Sequence, residues 1–305
     1  MDKFIVYDIG GSFIKFALMD EESIHVKGKV KTPKTSFDEL LHTLEHVYQP
    51  FAGTAKAAAI SMPGLIDSKS GYAIHGGSLS YIRKMNVADM IKERLKIPVV
   101  IENDGKSAAL GEAWKGGLKG VENGVSVVLG TGIGGGIVLN GELVRGEHLG
   151  AGEFSFIRLN KEQPTNPEYI LGNKGSIVNL IRQVAIELEK DPKEYTGEDM
   201  FEAIRQGNNR AKELLKSFCK DLSVQLLNLQ AILDPEVFVI GGGISAEPML
   251  IEIFEEVLDE IYSEDFFYKV NGYKVELRKS PLGNDANLFG VLHQYLTSEK
   301  SNQEE

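Results

Sequence analysis

Residues 127–141 read VVLGTGIGGGIVLNG, with glycine at 130, 132, 134, 135, 136 and 141. Apolar runs flank the glycine turn on both sides. It is not a Walker A loop, because no Gly-Lys-Ser/Thr follows. It departs from a dinucleotide fingerprint, because the chain returns to a strand-like run instead of opening a helix. The pattern is strand, glycine turn, strand, then an Asn140-Gly141 turn into a third strand.

The same pattern stands at the start of the chain. FIVYDIGG (4–11) reads as a buried strand running into a glycine turn. FIKFALMD returns from it, and SIHVKGKVKT is a third strand. A third glycine turn, IGGGIS (240–245), follows the strand-like PEVFV and precedes a helix with Pro248 near its start. This weak repeat predicts an α/β fold of two similar lobes around a cleft. Residues 1–115 plus about 291–305 form the small lobe, and 116–290 the large lobe. Ligands of such folds sit at the strand ends. Between these strands, SFDELLHTLEHVYQPF has apolar residues at helical spacing, with Ser36 as N-cap. VADMIKERLKI and GKSAALGEAWKG are further helices, and residues 176–233 are mostly helical. An apolar stripe runs through Leu215, Phe218, Leu222, Leu226, Leu229 and Leu233. The polar tail SEKSNQEE is expected to lack structure.

The 305 residues carry a net charge of −11, which argues against a nucleic-acid partner. It leaves phosphate open, since backbone amides and a metal ion can neutralise it. A single cysteine, Cys219, excludes an internal disulfide and a multi-cysteine zinc site, and it falls on an apolar helix stripe. There is neither a signal-peptide pattern nor an apolar run of membrane-spanning length. These features predict a cytoplasmic protein with no membrane partner. His42 and His46, four apart on the first helix, read as a solvated face, because no third ligand is near.

Each motif has two readings. In DIGGS, Gly10 and Gly11 let the backbone approach an anion, Ser12 adds a hydroxyl, and Lys15 follows. Asp8 could hold Mg²⁺ through water. Alone, this is a β-turn. The second loop repeats the design with Gly130, Thr131, Gly132 and Gly134, and the third offers Gly241, Gly242 and Gly243. Three such loops at strand ends point to a nucleotide site, two gripping phosphates and one bordering the base. Asp104 is either a helix N-cap or a general base for a hydroxyl attacking a γ-phosphate. Asn103 could position that hydroxyl. Glu153 is either a solvated acid or an acceptor for a polyol. SMPGLID (with Gly64) and HGGSLSYIR (with Gly77, Ser78, Tyr81 and Arg83) are either connectors or parts of a sugar pocket.

DIGGSFIK, SMPGLID, IENDGKSAALGE, LGTGIGGGIV, AGEFSF, DPEVFVIGGGIS and GNDANLFG, in this order, resemble the ROK sugar kinases from residue 4 to about 295. The resemblance implies the actin-like, ribonuclease-H-like ATPase fold, with ATP between the three glycine loops. It implies Asp104 as the catalytic aspartate and Asn103 and Glu153 as sugar-binding residues. It also implies homodimers or tetramers. Many members read Gly-Glu-x-Gly-His where this chain has GEFSF, so Phe156 takes the place of a histidine and Ser155 that of a glycine. The cysteine cluster of those members is missing, so no structural zinc is expected. Glu168 is only a loose counterpart of the glutamate that follows that cluster. HGGSLSYIRKMNV and RGEHLGAGEFSFIRLNKEQP look most like β-glucoside kinases, in which an aromatic residue replaces the histidine. The implied reaction is ATP-dependent phosphorylation of a sugar hydroxyl, the 6-hydroxyl of glucose or a β-glucoside. N-acetylmannosamine and fructose are alternative sugars. A sugar-responsive repressor is the rival class, but the DIGG strand begins at residue 4 and leaves no room for a helix-turn-helix.

Overall fold

The computed structural model describes the backbone of residues 1–304 and the side chains of residues 1–299. It divides into two compact units. The first comprises residues 1–119, 143–152 and 285–305, and the second residues 120–142 and 153–284. Residues 143–152 are grouped with the first unit, although the strand Glu142–Val144 belongs to the main sheet of the second.

The first unit contains β1 (Lys3–Ile9), β2 (Phe13–Met19), β3 (Ile24–Lys31), α1 (Phe37–Tyr48), β4 (Ala55–Met62), β5 (Leu65–Asp67), β6 (Tyr72–Gly76), β7 (Leu79–Asn86), α2 (Val87–Leu95), β8 (Val99–Asn103) and α3 (Asp104–Lys115). Its main sheet has the order β3-β2-β1-β4-β8. β1 pairs antiparallel with β2 and parallel with β4, which pairs parallel with β8. β1 is apolar along most of its length because both faces are covered. Ile5, Tyr7 and Ile9 face the cluster that holds Leu40 and Leu44 of α1 and Ile91 of α2. Phe4 and Val6 face Leu288, Val291 and Leu292 near the C-terminus. Ser36 caps α1, its hydroxyl accepting from the Glu39 amide.

The second unit repeats that order. After β9 (Gly124–Leu129), β10 (Ile133–Leu139) and β11 (Glu142–Val144) come α4 (Leu171–Lys174), α5 (Ile177–Glu187), α6 (Gly197–Arg205), α7 (Asn209–Leu233), β12 (Val237–Gly241), α8 (Pro248–Glu264), α9 (Phe266–Asn271) and β13 (Leu277–Lys279). The sheet order is β11-β10-β9-β12-β13, again with parallel pairing of β9 to β12 and of β12 to β13. Val125, Val127 and Leu129 of β9 pack against Leu215, Phe218, Leu222 and Leu226 of α7 and Phe254 of α8. Cys219 is buried in this cluster, and burial pushes its thiol well above the ordinary range. A final helix, α10 (Ala286–Glu304), returns to the first unit.

Three expectations change. The segments read as loops around Gly64 and Gly77 are short turns beside strands: Gly64 joins β4 to β5, Gly77 joins β6 to β7, and the strands β5, β6 and β7 form a third sheet in that order. α9 has no counterpart in the sequence reading. α10 runs on to Glu304, so the polar tail is helical as far as its backbone is described, and side chains beyond residue 299 lie outside the described residues.

Candidate active site

In the first unit the β1–β2 turn is closed by a bond from the Gly10 amide to the Phe13 carbonyl, 2.9 Å. Thr32, just past the end of β3, ties it down, its hydroxyl donating to the Gly10 carbonyl at 2.7 Å. A Cβ on Gly11 would lie 3.2 Å from Ser78 Oγ, so the first glycine turn and the HGGS turn are neighbours.

Asp8 is buried one residue before the end of β1. Its cross-strand partner Lys15 donates to Oδ2 at 3.2 Å. Ser61, beside it on β4, and Asn287 of α10 donate to Oδ1 at 3.2 and 3.1 Å. Three donors thus fix a buried carboxylate, as burial of charge requires. Sequence reasoning missed Ser61 and Asn287. Asn287 is 279 residues away and carries no local signal.

At the end of β8, Asn103 is the N-cap of α3, and its Oδ1 accepts from the Lys106 amide at 3.0 Å. The capping reading offered for Asp104 is therefore corrected by one residue. Asp104 is the first helical residue and is partly exposed. Its own Oδ1 accepts from the Gly105 amide at 2.9 Å. A carboxylate at this position is favoured by the helix dipole. Asn103 Nδ2 also donates to the Gly64 carbonyl at 2.9 Å. Gly64 has φ +115°, and a Cβ there would strike the His75 carbonyl, so only glycine fits. A Cβ on Gly77 would come within 3.2 Å of Gly64 N. Asn103, Gly64 and Gly77 thus form one packed corner beside Asp104.

Beneath that corner lies Glu102, with its side chain 0% exposed. Its Oε1 accepts from the Asn103 amide at 2.8 Å. Its Oε2 takes two bonds from Arg145, from Nε at 3.0 Å and Nη2 at 2.8 Å. Arg145 also donates to Gln294 of α10 at 2.7 Å. Neither Glu102 nor Arg145 was singled out by the sequence. The pairing of ENDG with an arginine 43 residues later can be seen only in three dimensions. Tyr81 donates its hydroxyl to the Pro33 carbonyl at 3.0 Å, while Arg83 is exposed on β7.

In the second unit the β9–β10 turn is shorter. The Gly130 amide donates to the Gly132 carbonyl at 3.0 Å, and Thr131 is exposed at the tip. Gly134 lies within β10, opposite Val128. Ser155 holds the base of the turn: its Oγ accepts from the Ile133 amide at 3.0 Å and donates to the Ile133 carbonyl at 2.9 Å. Glu153 precedes a 3-10 turn over Phe154–Phe156 and is partly exposed. Phe156 is 58% exposed, and Phe154 is buried against Gly135. Glu168 lies elsewhere in the same unit, exposed in a polar hollow of about 590 Å³ with Lys174, Asn179 and Asp221.

The third glycine turn borders the second. Gly241 ends β12, and Gly242 has φ +92°. A Cβ on Gly242 would strike the Leu129 carbonyl, so glycine here lets the two strand ends meet. Gly243 is exposed, and a Cβ there would lie 3.5 Å from Asn284 Oδ1. His42 and His46 are exposed on α1, where Asp38 and Arg94 meet His42. Among the described residues no three His, Cys, Asp or Glu side chains gather as a metal site.

Comparison with known proteins bears on this arrangement. A beta-glucoside kinase of Listeria monocytogenes is 27% identical over 99% of this chain and 100% of its own. A glucokinase of Halalkalibacterium halodurans is 29% identical over 99% of this chain and 98% of its own. The solved structure of the Lmo2764 protein from Listeria monocytogenes superposes with a TM-score of 0.85 at 27% identity, covering 97% of this chain and 99% of that one. These likenesses bear out the actin-like ATPase fold that the resemblance implies, and the two sheets of matching strand order agree with it. The ROK family model matches residues 4–297, and the chain belongs to the ROK family.

Proposed function

We propose that this protein is an ATP-dependent sugar kinase, transferring the γ-phosphate of ATP to the 6-hydroxyl of glucose or of a β-glucoside. The observation that carries this reading is Asp104. It is a partly exposed carboxylate at the first position of α3, beside a corner fixed by Asn103, Gly64 and the buried Glu102. Full-length likeness to relatives named as sugar kinases supports it.

In this reading Asp104 accepts the proton of the attacking hydroxyl. Asn103 in the first unit, with Gly64, Gly77 and Ser78 beside it, contacts the sugar, and Glu153 in the second unit accepts from a sugar hydroxyl. In the first glycine turn the Gly11 amide, the Ser12 hydroxyl and the Lys15 ammonium stabilise phosphate charge, and in the second the Gly132 amide and the Thr131 hydroxyl do so, while Gly10, Gly130 and Gly134, lacking a Cβ, leave the backbone open to close approach. Gly241, Gly242 and Gly243 border the base. Phe156 presents an exposed ring to a sugar face, which suits a gluco-configured glycoside.

Mg²⁺ bound with ATP supplies further neutralisation of phosphate charge. The donor set fits such an ion only through water. The Asp8 carboxylate already accepts from Lys15, Ser61 and Asn287, and among the described residues it belongs to no group of three His, Cys, Asp or Glu side chains able to hold a metal. The protein acts in the cytoplasm as a homodimer. No described helix is long and apolar enough to cross a membrane.

The test is a sugar panel scored for ADP release, containing glucose, cellobiose, fructose and N-acetylmannosamine. Highest turnover on glucose or cellobiose is expected. Exclusive turnover of N-acetylmannosamine or fructose would change the sugar, and operator DNA binding without turnover would overturn the enzyme reading.

A further inference from the structure

Ser155 stands where the Gly-Glu-x-Gly-His pattern has glycine, and its hydroxyl both accepts and donates. It accepts from the Ile133 amide at 3.0 Å and donates to the Ile133 carbonyl at 2.9 Å. Ile133 is the first residue of β10, directly after the turn formed by Gly130, Thr131 and Gly132. Two glycines make room for the hydroxyl. A Cβ on Gly132 would lie 2.9 Å from Ser155 Oγ, and one on Gly172 would lie 2.7 Å from it. The preceding residue docks as well, with the Phe154 ring covering Gly135 of β10. A bond from the Phe156 amide to the Glu153 carbonyl at 3.1 Å closes the turn. Residues 153–156 are thus one small rigid body, seated on β10 by its two central residues and presenting Glu153 and Phe156 at its ends.

We propose that Ser155 is a positioning residue that couples sugar binding at the 153–156 turn to nucleotide binding at the 130–132 turn. The proposal rests on the kinase reading above. A glycine turn gains phosphate-binding amides at the cost of backbone freedom. A ligand that holds residues 153–156 in place also orders Ile133 through the two Ser155 bonds, and with it the start of the hairpin. The second ligand then meets a turn already ordered, which is positive coupling without a change of shape. By linkage the effect is reciprocal. Ser155 touches neither ligand in this account.

The test is titration calorimetry with the Mg²⁺ complex of a non-hydrolysable ATP analogue, with and without the panel sugar of highest turnover. In the wild-type chain, saturating sugar tightens analogue binding by about fivefold or more. In Ser155→Ala and Ser155→Gly that ratio falls to within about twofold of unity, while the Kd for sugar alone changes by less than about twofold. Hydrogen exchange on the wild-type chain gives a reading that needs no variant: sugar alone slows exchange of the peptide spanning residues 130–134. An undiminished ratio in both variants, a wild-type ratio of unity, or unchanged exchange overturns the proposal. Sugar phosphorylation persisting through any of these leaves the kinase reading standing. Absence of both analogue binding and sugar phosphorylation overturns the two together.

Discussion

The two glycine hairpins share a strand order and differ in how they are held. In the first, the pair Asp8–Lys15 faces across the strands just before the turn. In the second, the corresponding pair is Val128–Gly134. The first hairpin is fixed by charge, through Lys15, Ser61 and Asn287 on one buried carboxylate. The second is fixed by a neutral hydroxyl, Ser155, and by packing of Phe154 on Gly135. The first unit also holds its strand end β8 by charge, through the ion pair of Glu102 and Arg145. A repeated fold therefore does not repeat its chemistry. One copy carries most of the buried ionic structure, and the other reaches similar geometry with glycine and one hydroxyl.

That contrast can be broken by substitution, and the largest effect belongs to the first unit. Asp104→Asn lowers kcat by about 10²–10⁴-fold, while sugar and nucleotide still bind. Steady-state kinetics with calorimetry checks this, and near-normal turnover would remove Asp104 as the base. Next comes the ion pair. Arg145→Met leaves the fully buried Glu102 carboxylate uncompensated and destabilises the fold by about 3–5 kcal/mol in urea unfolding. The double variant with Glu102→Gln recovers much of that loss. Equal losses in the single and double variants would show that the arginine acts through packing alone.

Acid unfolding gives a smaller effect. Asp20 accepts from the amides of Ser23 and Glu22 and pairs with His25 at 2.7 Å. The Ser23 bond first, and then the His25 bond, lower its pKa to about 2. A lowered folded-state pKa adds stability above the unfolded value of ~3.9, and that stability is lost as pH falls from about 4 through about 2. Asp20→Asn flattens the stability profile in that window by about 2 kcal/mol at most, whereas a slope unchanged from wild type would place the acid sensitivity elsewhere. The smallest effect falls in the second unit. Ser126 Oγ on β9 is buried with no hydrogen-bond partner among the described residues. Ser126→Ala therefore changes stability by less than about 1 kcal/mol, with the sign toward stabilisation. A loss of several kcal/mol would reveal a polar tie in the second unit and weaken the contrast.

The hairpins, the capped helix α1 and the stripe of α7 were legible because their periodicity is local. SMPGLID and HGGSLSYIR were read as loops because glycine and proline interrupt their alternation, yet they form strands of the β5-β6-β7 sheet. The start of α3 was legible to within one residue, since adjacent Asn103 and Asp104 are both good caps and only geometry separates them. The partners that fix the site residues were not legible at all. Asn287 reaches Asp8, Arg145 reaches Glu102 and Ser155 reaches Ile133 across 279, 43 and 22 positions. No local rule connects such residues. Only the folded backbone does.

The most direct measurement is phosphorus NMR of the protein with Mg·ATP, in the presence and absence of glucose or cellobiose. The account predicts a sugar-phosphate resonance appearing with ADP, and no ATP consumption when sugar is omitted. Inorganic phosphate released at the same rate with and without sugar, or ATP left intact across the whole panel, would contradict it.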